Sequence, residues 1–99
     1  MSFGRWQSLA AATVPRRRGV LQARLADELL AYPSGKSAMV YYDADEDLAR
    51  ALERLGAVVP PGTNVLVRFS ECDDPASELG RARDQFVRRF GAPPKWNAG

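Results

Sequence analysis

Ninety-nine residues with a net charge of +2, 45% hydrophobic and 26% charged, have the make-up of one globular domain, long enough for a single core and too short for a deep enclosed cavity. Histidine is absent and Cys72 is the only cysteine, which excludes a histidine general base, a histidine or cysteine-rich metal site and an internal disulfide. Any catalysis must run on carboxylates, tyrosines, arginines or a carboxylate-bound metal, and no apolar run approaches the roughly 20 residues that cross a bilayer.

The first residues lack a basic start followed by a long apolar run, so they make a poor secretion signal, and a cytoplasmic protein is expected. The basic residues are twelve Arg against two Lys. Arginine forks suit phosphate and carboxylate. The same bias, with the Ala, Gly and Pro content, also follows from GC-rich coding. A pI near 9.0 permits nucleic-acid contact without demanding it.

In chain order, Phe3, Trp6, Leu9 and Ala10 recur at helical spacing and predict a short helix over residues 2–12, ended by Val14-Pro15. Arg16, Arg17 and Arg18 form a basic cluster, read either as a solvated loop or as a phosphate contact. GVLQARL, residues 19–25, alternates as a strand, with Val20, Gln22 and Arg24 on one side. Residues 26–37 contain the turn residues Pro33, Ser34 and Gly35 and predict a long hairpin connection that holds at most a helical turn. Gly35-Lys36-Ser37 imitates the end of a phosphate-binding loop, but Leu30 occupies the required first glycine position and a strand follows, so no nucleotide cofactor is expected.

Residues 37–56 are the clearest unit. Ala38 to Tyr42 reads as a buried strand, and Asp43, Asp45, Glu46 and Asp47 place negative charge at a helix N-terminus. Leu48, Leu52 and Leu55 then form one apolar stripe, with Gly56 at the expected left-handed cap. AVVPPGT is a rigid loop, and NVLVRFS, residues 64–70, is a third strand with Val65, Val67 and Phe69 on one face. Asp73 or Asp74 caps a final helix whose first turn contains Pro75 and whose stripe is Leu79, Ala82, Phe86 and Phe90. Gly91 stops it, and Trp96 is expected to fold back on the core beside Asn97. The expected fold is α/β (α+β): a small three-stranded mixed or antiparallel sheet flanked by helices, one domain over residues 1–99.

Val14-Pro15 with Gly19-Val20-Leu21, then Val40-Tyr41-Tyr42-Asp43, Asp47-Leu48, and a closing helix followed by Phe90-Gly91, Pro94 and Asn97 resemble, in order and spacing, the motifs of the GIY-YIG nuclease domain family. The resemblance spans nearly the whole chain and implies a metal-dependent DNA nuclease fold. It also implies that several chemical residues are replaced. Leu21 stands at the first motif's tyrosine, Asp43 at the second motif's glycine and Ala51 at the helix arginine, with Arg50 beside it. Asp84 is the only acidic residue near the metal-binding glutamate position, while Tyr41 and Asn97 match.

Because hydrolysis by this route needs a held metal, an activated water and a cation, the expected function is a non-catalytic binding or scaffold module, contacting nucleic acid or a protein partner. In that case Arg16, Arg17, Arg18, Arg81, Arg88 and Arg89 are the candidate phosphate contacts, and no metal is required. One alternative is an endonuclease with rearranged residues Tyr41, Arg50, Asp84 and Asn97, using Mg²⁺ or Mn²⁺. In a further version Asp43, Asp45 and Asp47 hold a divalent ion instead of capping the helix. The last alternative is an accessory subunit of a larger assembly, anchored by Phe3, Trp6 or Trp96.

Overall fold

The structure, a computed structural model, describes residues 2–97 as an α+β domain. Its centre is β2 (Gly19–Leu25), which is hydrogen-bonded along both edges. On one side it pairs antiparallel with β5 (Met39–Asp45), and on the other with β6 (Val65–Glu71). A two-residue strand, β1 (Gln7–Ser8), pairs with the far edge of β6, giving the order β1-β6-β2-β5. The sheet is therefore four-stranded and antiparallel throughout, with one short strand more than the sequence predicts.

The register of β2 on β5 slips once. Ala23 faces Tyr41 and Arg24 faces Met39, so Val40 is the extra residue of a bulge. The bulge turns both Val40 and Tyr41 into one core, with Leu21, Ala23, Leu25, Val65 and Val67. Helix α1 (Leu48–Val58) covers that face with Leu48, Ala51 and Leu55, all fully buried. Trp96 and half-buried Val14 and Phe69 close the same core. Helix α2 (Pro75–Phe90) covers part of the other face, where Phe86 meets Tyr42 and Tyr32 edge-on at ring distances of 5.8 and 5.1 Å.

Cap chemistry sets the helix ends. Asp47 Oδ1 accepts from the Ala49 N–H and Asp74 Oδ1 from the Ser77 N–H. Pro75 takes the first turn of α2, and Gly91 ends it at φ 82°, a left-handed conformation that favours glycine. Asp43 and Asp45, expected among the capping acids, are instead the last residues of β5, which runs three residues beyond Tyr42.

Three local expectations are corrected. Residues 2–12 are not a helix: Gln7 and Ser8 join the sheet and only Leu9–Ala11 form a 3-10 turn. A helix this short is marginal in water, whereas the free edge of β6 offers backbone partners, which the Gly4 N–H also takes through the Phe69 carbonyl at 3.1 Å. The connection over residues 26–37 carries a small hairpin, β3 (Leu30–Tyr32) with β4 (Gly35–Ser37), rather than a helical turn. Tyr32 pins it by donating to the Met39 carbonyl at 2.7 Å while accepting from the Lys95 N–H. Gly56 lies inside α1 and is not its cap. The helix runs on through Ala57 and Val58 and stops at extended Val59, the residue that Pro60 holds out of the helical region. Among the described residues, no helix is long and apolar enough to cross a membrane.

Gly19 has the most crowded surroundings of the glycines described. A methyl group there would strike the Ser70 carbonyl oxygen and come within 2.9 Å of Leu48 Cδ1. Since a backbone atom cannot yield as a side chain does, Gly19→Ala should cost about 2–3 kcal/mol, read as a fall in Tm of roughly 10–20 °C for a domain of this size. Gly56→Ala, with open space around the added methyl, should raise stability by about 0.5–1 kcal/mol.

Candidate functional site

Tyr41 and the carboxylates weighed as a divalent-ion site lie together on β5 and at the entry to α1. Tyr41 and Asp43 are two apart on a strand and so share a face, and the Tyr41 hydroxyl donates to Asp43 Oδ2 at 3.0 Å. Arg54, from the second turn of α1, donates through Nε to the same oxygen at 2.8 Å and pairs with Asp45 at 2.9 Å. Asp45 Oδ1 accepts from the Asp47 N–H, and Asp47 Oδ2 pairs with Arg16 at 2.8 Å. Each of the three carboxylates is thus engaged by an N–H group and by at least one guanidinium.

The electrostatics follow from these contacts. The Asp47 N–H first, and then Arg54, hold Asp45 below the usual carboxylate range. The Asp43 hydrogen bond, and after it Asp45, push the Arg54 guanidinium up. Burial first, and then the Asp43 carboxylate, disfavour the Tyr41 phenolate and push it up to about 12. Among the described residues, no three His, Cys, Asp or Glu side chains converge as a cation site. Asp47 caps α1, and Asp43 and Asp45 end β5, each carboxylate being taken up by a backbone N–H and a guanidinium.

The other candidates are scattered. Arg50 is exposed on α1, one turn before Arg54. Asp84 is exposed on α2, which covers the opposite face of the sheet from Tyr41. Asn97 spends its amide on the backbone of Tyr42, accepting from the N–H and donating to the carbonyl at 2.8 Å each, and so closes the outer edge of β5. In the basic cluster, Arg16 is held by Asp47, Arg17 lies 3.7 Å from Glu71, and Arg18 donates to the Asp73 carbonyl. Arg81 and Arg89 line a groove, and Arg88 does not.

That groove, of about 520 Å³, lies between α2 and the sheet face away from α1. Buried Gln22 and Tyr42 line it on the sheet side, Phe3 at one side, and Glu78, Arg81, Gln85 and Arg89 along the helix. Beneath Phe3 lies Arg68, whose Nε donates to Gln22 Oε1 at 2.7 Å and whose guanidinium stands 4.8 Å from the Phe3 ring. Trp6 receives both Arg68, at 4.4 Å, and Arg24, at 4.9 Å. No protein-family model matches the chain, and neither does any curated protein or solved structure compared with it.

Arg54, Gln22, Arg24 and Arg68 are the site residues that sequence reasoning passed over. Arg54 had a signal: it lies seven residues after Asp47, two helical turns on, and faces back toward the strand end. Gln22 and Arg24 alternate with the apolar residues of β2, and a polar row on a strand paired at both edges must meet something other than core.

Two outcomes test this network. The unfolded chain gives up a tyrosine proton near pH 10, whereas folded Tyr41 keeps it until about 12. The stabilisation is whole below pH 10 and is lost as pH rises through 12. Burial displaces Tyr32 and Tyr42 in the same direction, so Tyr41→Phe should lessen the alkaline fall in stability without abolishing it, measured by denaturant unfolding across that range. Arg54→Ala should lower stability by about 1 kcal/mol, because it leaves Asp43 and Asp45 facing each other, while Arg50→Ala should stay within about 0.5 kcal/mol.

Proposed function

We propose that this chain is a non-catalytic binding module with a GIY-YIG-like fold, whose partner is nucleic acid or protein. The observation that carries the reading is the Tyr41–Asp43–Arg54 network. Phosphodiester hydrolysis of the kind the resemblance implies needs a phenol free to take part in proton transfer and a cation free to meet developing charge. Here the phenol donates to a carboxylate, and the guanidinium beside it is shared by two carboxylates.

The distribution of the remaining residues supports the same reading. Tyr41 and Arg50 lie on the α1 side of the sheet, Asp84 is on the helix covering the other side, and the Asn97 amide is consumed by the backbone of β5. Arg16 and Arg17 are paired with carboxylates, which leaves them weaker phosphate contacts than their charge suggests. The protein-partner version rests on less, since Trp96 is half-buried against the core and Phe3 and Trp6 are half-buried over arginines.

Incubation with supercoiled plasmid and Mg²⁺ or Mn²⁺ tests the reading, beside a gel shift at low and moderate salt. No nicking is expected, with Asp84→Ala indistinguishable from the parent chain. Metal-dependent nicking that Asp84→Ala abolishes would overturn the reading and make Asp84 a ligand. Salt-sensitive binding without cleavage marks the nucleic-acid version, and absence of both directs the search to a protein partner by pull-down.

A further inference from the structure

The sheet face under α2 contains charge that the fold does not neutralise. Arg24 on β2 and Arg68 on β6 are diagonal neighbours, since Arg68 stands opposite Gln22 and Arg24 opposite Leu66. Among the described residues neither forms an ion pair with a carboxylate. Arg24 Nε is buried without any hydrogen-bond partner. A buried donor on a charged group is nearly always paired in a native fold, so one left open asks for an acceptor. Burial, with Arg24 nearby, lowers the Arg68 pKa. Trp6 and Phe3 offer ring faces to these cations, which offsets lost water but not charge.

The groove beside this pair continues the same sign. Arg81 and Arg89 stand exposed on its helical wall, against the single carboxylate of Glu78, which itself holds Arg81 at 3.4 Å. Amides of Gln22 and Gln85 and half-buried Phe3 complete the lining. Guanidiniums, flat rings and amides are the parts from which single-strand platforms are made: backbone phosphates meet the cations, bases stack on rings, and amides meet base edges.

We propose that this face seats a short single-stranded nucleic-acid segment, with phosphates on Arg24, Arg68, Arg81 and Arg89 and bases against Phe3 and Trp6. The inference rests on the binding-module reading above and names its ligand. A duplex is too broad to reach Arg68, which lies under Phe3 on the sheet floor rather than on a protruding edge. An acidic peptide would satisfy the cations but would leave the rings and amides without flat partners. The volume, about 520 Å³, lies in the range of ordinary ligand pockets and so engages a few nucleotides rather than a long tract.

The test uses the full chain with fluorescently labelled short oligo-dT and oligo-U, a mixed-sequence duplex, and oligoglutamate as competitor, read by anisotropy at low and moderate salt. The single strands should bind about tenfold or more tighter than the duplex, with a salt slope of about −2 to −3 for three or four phosphate contacts. Charge reversal at the exposed wall, Arg81→Glu with Arg89→Glu, should weaken binding about tenfold or more without touching half-buried Arg24 and Arg68. Arg83→Glu, exposed on the same helix and outside the groove, should change it less than about threefold. In a Trp96→Phe background Trp6 is the remaining tryptophan, and its emission should be quenched as the strand binds.

Equal loss in Arg83→Glu, or no change in Trp6 emission, would overturn the groove assignment. Duplex binding as tight as single-strand binding would overturn the ligand class while leaving a nucleic-acid module standing. Full displacement by oligoglutamate at equal concentration, or no nucleic-acid binding at all, would overturn the inference in favour of a protein partner. None of these results depends on plasmid nicking, which alone decides the non-catalytic reading.

Discussion

Because β2 is hydrogen-bonded on both edges, its register cannot drift, and its register decides what each face of the sheet is. A slip of one residue would exchange Leu21 and Ala23 for Gln22 and Arg24 beneath α1. The close approach at Gly19, where the backbone of β6 and the side chain of Leu48 meet the strand, locks this arrangement at its first residue. The Val40 bulge then adds a second buried side chain to the apolar face without moving Tyr42 off the other. The sheet thus acquires one apolar face and one mixed face.

The apolar face needs little explanation. Leu48, Ala51 and Leu55 close over it, and area burial of this kind drives folding. The mixed face is less complete. Phe86 and Phe90 of α2, with Tyr32 from the small hairpin, cover the β5 side through aromatic contacts. Over β6, the covering element is the N-terminal stretch, tethered by the pairing of Gln7 and Ser8 and by the Gly4 N–H. Between these two covers lies the groove, so its existence follows from α2 not spanning the whole sheet.

How legible this was depended on the range of the forces involved. Strand 19–25, the helix after Asp47 and the helix between Asp74 and Gly91 announce themselves through period, caps and stops, which are local. The N-terminal stretch misleads because Phe3 and Trp6 are three apart and fit a helical face, while the deciding partner, the β6 edge, lies about 60 residues away in sequence. Gly56 misleads because a glycine after a leucine stripe imitates a cap when the actual stop is Pro60 four residues on. Pairings such as Asp43 with Arg54, or Gln22 with Arg68, depend on how α1 and β6 are laid against β5 and β2. No local pattern contains them.

Charge is separated across the domain by the same geometry. The acidic residues at the end of β5 face α1 and are neutralised by Arg54 and Arg16, both from neighbouring elements. The arginines on the opposite face have no comparable partners, only rings and one amide oxygen. A sheet is thin, with its side chains alternating above and below, yet here it holds a satisfied ionic network on one side and an unsatisfied cationic pair on the other. The bulk net charge of +2 conceals this. An approaching anion meets carboxylates and guanidiniums already paired with each other at the strand end, and guanidiniums short of carboxylate partners on the opposite face. The end of β5 thus joins strand to helix through ion pairs that are already made, whereas Arg24 and Arg68 under the N-terminal stretch have no carboxylate partner among the described residues.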